Sequence, residues 1–247
     1  MAIPAQLAFT TSFLIGIVPV FVILFYTVKN YEKYFEDRHF FFALLTSLFL
    51  SVVAGFVHIL IYAGLPAFFD IVGFAVILIG LAIFETMVKL VFANLPRFKR
   101  EYDTTFYSAS FGFGFASFIV IAISYINITG ELGASVESIL SLVMFGLGVV
   151  FIQGALGIYL GYGVHKHELT LYAFYAVLMQ LPFNFVLLLW YIALRVPPVS
   201  SGWELTIVAA LYAFGVYYYI YTEILPLALP EDLRKHRRRS IRKGKRK

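Results

Sequence analysis

Residues 67–93, AFFDIVGFAVILIGLAIFETMVKLVFA, decide the fold class of this chain. A helix that crosses the hydrocarbon of a bilayer needs about 20 mainly apolar residues. This run supplies them, with charge only at Asp70, Glu85 and Lys89. Because a charged side chain at bilayer depth is costly, Glu85 and Lys89 are also candidate functional residues.

The composition of the whole chain agrees with this run. Of 247 residues, 61% are apolar and 13% charged, whereas soluble domains have about half and a quarter. This excludes soluble enzyme folds, and the absence of cysteine excludes disulfides, cysteine metal sites and thiol catalysis. We predict an all-α, polytopic membrane protein with seven transmembrane helices, at about 5–27, 39–62, 67–93, 105–127, 137–163, 169–193 and 204–226.

The basic residues predict the orientation of these helices. The loops after spans 1, 3 and 5 and the C-terminal tail hold 17 Lys and Arg, and the opposite side holds one. Since basic loops favour the cytoplasm, the N-terminus should lie outside and the C-terminus inside, in a plasma membrane. The sequon at Asn127 would then lie outside, but so close to the membrane that we expect no glycan on it.

The chain divides into a seven-span bundle, residues 1–230, and a basic tail, residues 231–247. The tail is nearly free of apolar residues, so we expect it to be disordered and cytoplasmic. Its cations can bind anionic lipids, and a second interpretation is phosphate contact with RNA, such as ribosomal RNA at the membrane. The residues predicted to make these contacts are Arg234, Lys235, Arg237, Arg238, Arg239, Arg242 and Lys243.

Polar residues at bilayer depth form the second group of candidates. Counting 1.5 Å per residue from each span's midpoint places them at similar depth on spans 3, 5 and 6, whereas His58 falls on the outer half of span 2, apart from them. Glu85 and Lys89 share a helix face, either as a self-neutralising ion pair or as an active or recognition site. The predicted cluster consists of Glu85, Lys89, Gln153, Gln180 and Asn184.

Small residues recur on spans 4 and 5 at helical spacing and let helix backbones approach closely. This face either packs inside the bundle or receives a partner's transmembrane helix. Pro182 should kink span 6 beside Gln180. The residues of the small face are Ser108, Gly112, Ala116, Gly157 and Gly161.

Four segments within about residues 80–190 resemble, in order, the motifs of the PrsW family of intramembrane proteases. The wider group includes CAAX-processing type proteases and the anterior-pharynx-defective subunit of γ-secretase. Residues 85–89, ETMVK, resemble the first motif, Glu-Glu-x-x-Lys. Residues 112–119, GFGFASFI, resemble the second motif, which is rich in glycine. Residues 153–163 are similar to the third, which opens with His and closes on Gly-Tyr-Gly, and residues 180–184, QLPFN, to the fourth.

The departures from the family pattern concern its catalytic positions. Thr86 stands where the family has its second Glu, Ile119 where it has the Glu of the second motif, and Gln153 and Gln180 where it has His. A carboxamide is a poor zinc ligand and accepts no proton near neutral pH. Glu85 could act as a base, although neighbouring Lys89 favours its ionised, weakly basic form.

The resemblance implies two hypotheses, and the intramembrane polar cluster by itself adds a third. The first is a non-catalytic PrsW-like protein that needs no cofactor. It binds or scaffolds transmembrane partners, as the γ-secretase subunit does. The second is an active intramembrane endopeptidase that uses Glu85, with zinc if the family's metal chemistry persists, and with His58 or a loop His. The third is a small-solute transporter or channel lined by the polar cluster.

Overall fold

The structure, a computed structural model, describes residues 4–64, 70–98, 102–130, 133, 135–195 and 202–235. These residues contain no strand, and seven of their helices are long and apolar enough to cross a membrane, which confirms the predicted fold class. The helices are α1 (Ala5–Val28), α2 (Asp37–Gly64), α3 (Ile71–Ala93), α4 (Thr104–Thr129), α5 (Val136–His165), α6 (Leu169–Arg195) and α7 (Trp203–Tyr219).

Helices form here because a bilayer offers no partner to a backbone N–H or C=O, so each segment must satisfy its own. Two helix starts are capped by side chains. Asp70 accepts from the Gly73 N–H at 2.9 Å, and Ser135 accepts from the Ser138 N–H at 3.1 Å. α7 continues as a π-helical turn, Ile220–Ile224, and a 3-10 turn, so the seventh span reaches Ala228.

Helices α4 and α5 are the most buried and form the centre of the bundle. α4 packs against α1, α2 and α5, and α5 also packs against α6 and α7. α3 is the least buried helix and lies mainly along α6. The helix that carries Glu85 and Lys89 is thus a peripheral one.

The small-residue face is the contact between α4 and α5. A Cβ atom added to Gly157 would lie 2.9 Å from the Gly112 Cα, and one added to Gly161 would lie 2.6 Å from the Ser108 Cβ. Ala116 is fully buried on the same side of α4. The interpretation as internal packing therefore holds, and this face is not open to a partner helix.

Pro182 lies inside α6, which is a continuous helix from Leu169 to Arg195. Proline has no N–H to donate to the preceding turn, which leaves backbone acceptors in need of other donors. Close to it, the Tyr212 hydroxyl on α7 donates to the Met179 carbonyl at 2.9 Å. The carbonyl that loses its donor to Pro182 is that of Leu178, four residues earlier, so this bond adds a polar contact to the neighbouring carbonyl and does not replace the lost one.

The prediction of a disordered tail is wrong for residues 231–235, which form a helical turn. The Arg234 N–H donates to the Pro230 carbonyl at 3.0 Å, and Lys235 pairs with Glu231 at 2.9 Å. Local backbone bonds and an i,i+4 ion pair support this turn. The other predicted contact residues lie outside the described residues: Arg237, Arg238, Arg239, Arg242 and Lys243.

The sequon residue Asn127 is buried between α4 and α2, with 2% of its surface exposed. Its Oδ1 accepts from the Tyr62 hydroxyl at 3.1 Å, and its Nδ2 donates to the Ile123 carbonyl at 2.8 Å. The folded chain does not present this amide for glycosylation.

Candidate functional site

Glu85 is the centre of a buried hydrogen-bond cluster that joins four helices. Its Oε1 lies 2.8 Å from the Nε2 of His58 on α2. Its Oε2 accepts from the Nε2 of Gln153 on α5 at 2.8 Å and from the Nε2 of Gln180 on α6 at 2.6 Å. Both carboxylate oxygens are therefore bonded to protein donors.

The depth estimate that set His58 apart is wrong, because His58 contacts Glu85 directly. An ionised carboxylate only accepts, so His58 donates to Glu85 through its Nε2–H. Its Nδ1 lies 2.9 Å from the Tyr191 hydroxyl on α6. With His58 neutral, Nδ1 accepts from that hydroxyl, and the chain of donors runs from Tyr191 through His58 to Glu85.

Lys89 does not form the predicted contact with the Glu85 carboxylate. Its Nζ donates to the Glu85 backbone carbonyl at 2.9 Å and lies 5.0 Å from the centroid of the Phe115 ring. With 2% of its surface exposed, Lys89 is enclosed within the bundle. The ammonium still balances the carboxylate one turn away, which lowers the cost of burying both charges.

The carboxamides of the cluster keep unused hydrogen-bonding capacity. Gln180 also donates to the Asn184 Oδ1 at 3.0 Å. The Oε1 atoms of Gln153 and Gln180 and the Nδ2 of Asn184 have no hydrogen-bond partner. Since a carboxylate can only accept, the amide nitrogens must face Glu85, and the two carbonyl oxygens must point away from it.

The cluster is closed to solvent and lipid. Exposure does not exceed 2% at any of its members. An enclosed polar network of this kind holds its helices in one arrangement, because each broken bond leaves a buried group unpaired. The members are His58, Glu85, Lys89, Gln153, Gln180, Asn184 and Tyr191.

The donor set does not fit a catalytic zinc ion, which takes three N, O or S ligands from protein and keeps a position open. The His58 imidazole and the Glu85 carboxylate bond to each other, and two amide N–H groups cover the remaining carboxylate oxygen. No three His, Asp or Glu residues within the described ranges form a group that could hold a metal.

The loop histidines lie far from this cluster. His165 ends α5, twelve residues beyond Gln153, which is about 18 Å along a helix. His167 follows with a positive φ of 58° and is exposed. Neither residue is placed to assist Glu85.

Tyr191 is the member that the sequence did not single out. Gln180, Asn184 and Tyr191 recur at i, i+4 and i+11, which places them on one face of α6. That spacing could have assigned Tyr191 to the polar cluster. Tyrosines in an aromatic-rich span, however, more often serve packing and interface anchoring.

No family model, no curated protein and no solved structure matches this chain. The resemblance to the PrsW family thus stays a prediction from the four motifs.

Proposed function

We propose that this chain is a non-catalytic, PrsW-like integral membrane protein that binds transmembrane segments of partner proteins. One observation carries the proposal: both oxygens of the Glu85 carboxylate are bonded by N–H donors from three other helices. A hydrolytic base must reach a water molecule, and a metal ligand must reach an ion. Glu85 in this arrangement does neither, and it joins helices instead.

The two glutamines support the same proposal. At the positions of the family's histidines they are poor zinc ligands, but they donate well to a carboxylate. The site therefore keeps hydrogen bonding of similar reach and loses proton transfer and metal binding. Such a change suits a protein that retains the shape of a protease core and uses it for binding.

The contact between His58 and Glu85 favours a second candidate, an intramembrane endopeptidase. A histidine oriented by a carboxylate is a common general base. In this candidate, His58 would accept a proton from water after leaving Tyr191. Hydrolysis would then require the cluster to open.

The experiment that separates the two starts from mild detergent extraction of the protein from its own membrane, with cross-linking before lysis. A stoichiometric membrane partner is then incubated with purified wild type and with Glu85→Gln in liposomes, and its mass is followed. We expect the partner to bind both proteins and to stay intact. Cleavage by wild type and not by Glu85→Gln would establish the endopeptidase instead.

The orientation and the tail belong to the same proposal. The N-terminus lies outside and the C-terminus inside a plasma membrane, as the basic residues indicate. The tail then lies against the anionic inner leaflet, where each Lys or Arg adds about 1 kcal/mol of attraction.

A further inference from the structure

The unused capacity of the cluster has a definite chemical character. Two carbonyl oxygens, on Gln153 and Gln180, can each accept a hydrogen bond, and one amide nitrogen, on Asn184, can donate. Their residues are at least 99% buried. A buried polar group without a partner is unfavourable, so a ligand that pairs these atoms gains binding free energy.

We infer that this site takes an amide group from the transmembrane segment of the bound partner. A primary amide donates two hydrogen bonds through its NH₂ and accepts through its carbonyl, so it offers the number and kind of partners that the three atoms lack. Two sources offer this chemistry inside a bilayer: the side chain of Asn or Gln, and the backbone amides of a broken helix. The inference rests on the proposed function and names the group that is recognised.

The bilayer makes such a group a selective ligand. An amide in a lipid-exposed helix has no water to bond, so it gains by meeting a protein site that supplies partners. Apolar helices lack this gain. Recognition would therefore depend on one polar position in an otherwise apolar segment.

Entry of a partner helix to the site requires α3 to move, because the cluster is closed to solvent and lipid. Helix α3 is the least buried of the seven and lies mainly along α6. Its polar attachment to the bundle runs through Glu85, which contacts α2, α5 and α6. A partner helix that replaces part of this contact reaches Gln153, Gln180 and Asn184.

The test measures binding of labelled host helices to the purified protein in bicelles by fluorescence energy transfer. Three hosts share a poly-Leu sequence with Lys ends: one with a central Asn, one with a central Gly-Pro pair, and one with Leu. Interhelical amide bonds are worth about 0.6–1.7 kcal/mol, so an amide host should bind about 3- to 18-fold tighter than the Leu host. Preference for the Asn host identifies a side-chain amide, and preference for the Gly-Pro host a backbone amide.

Asn184→Asp is the informative variant. The aspartate keeps the oxygen that accepts from Gln180 and replaces the unpaired NH₂ with a second oxygen. The preference for the amide host should then fall, because the host carbonyl loses its donor and meets a second oxygen, while its NH₂ can still donate to Gln153 and Gln180. Asn127→Asp is the matched control, because the same change falls on a buried amide in α4 that is already bonded, and there the preference should persist.

Gln153→Met provides a second variant if Asn184→Asp fails to fold, since it removes one unpaired oxygen while His58 and Gln180 still bond Glu85. Equal binding of all hosts to the wild type would overturn the inference and leave the three atoms to an internal water. A preference that stays undiminished in both variants would overturn it as well. If no host binds at all, the proposed function itself fails.

Discussion

At the scale of the single residue, Glu85 accepts from His58, Gln153 and Gln180, and this decides how its substitutions behave. Glu85→Ala leaves three buried donors without an acceptor and should cost about 3–5 kcal/mol. Thermal unfolding in detergent should show a large fall in melting temperature. A melting temperature equal to that of wild type would mean that the cluster does not hold the helices together.

Glu85→Gln should keep most of the stability that Glu85→Ala loses. The new carboxamide oxygen can accept from both glutamines. Its NH₂ can donate to the Nε2 of His58, which then carries its proton on Nδ1 and donates to the Tyr191 hydroxyl. The same melting experiment should place Glu85→Gln between wild type and Glu85→Ala, because the hydrogen bonds are kept while the buried Lys89 loses its balancing charge. A loss as large as that of Glu85→Ala would refute this exchange of donors.

Lys89 should be coupled to Glu85 although the two side chains do not bond directly. Lys89→Met removes the buried cation that balances the carboxylate. Its effect on stability should therefore be larger in wild type than in the Glu85→Gln background. A double-mutant cycle should give a coupling of about 0.5–3 kcal/mol, and purely additive effects would show that the two charges do not interact.

At the scale of the helix, the contact between α4 and α5 depends on glycine. A Cβ atom at Gly157 would lie 2.9 Å from the Gly112 Cα and closer still to the Ser108 carbonyl oxygen. Backbone atoms cannot move aside, so Gly157→Ala should force the two central helices apart and cost about 1–3 kcal/mol. The melting temperature in detergent again measures the effect.

Gly215→Ala in α7 is the matched control. Nothing lies within 4 Å of the Cβ that this substitution adds, and alanine favours a helix over glycine. The melting temperature should stay the same or rise. If both substitutions cost equally, the close approach of α4 and α5 is not what stabilises the bundle.

The sequence predicted the spans and their packing better than the site, for a physical reason. Hydropathy and the spacing of Gly112 and Gly157 are local properties of a helix. The position of His58 depends on how α2 and α3 tilt and slide relative to each other. Counted from the helix midpoints, His58 and Glu85 differ in depth by about 16 Å, yet they bond. Only the packed bundle sets that offset.

At the scale of the whole molecule, the charge of the loops and the tail predicts the orientation of the helices. A fluorescent protein fused after residue 247 should fold and fluoresce, because the C-terminus is predicted to lie in the cytoplasm. Exchanging the basic residues of the tail for Gln should weaken binding to anionic vesicles. A fusion that lies outside the cell would contradict this orientation. Vesicle binding that does not change would contradict this role of the tail.

Glu85 joins helices through its hydrogen bonds, and we propose that it is not the ligand of a catalytic metal. The most direct test is metal content per protein molecule, after purification in detergent without added zinc or chelator, for wild type and Glu85→Gln. We expect the same substoichiometric zinc in both proteins. About one zinc ion per wild-type molecule, lost in Glu85→Gln, would contradict it and assign the site to hydrolysis.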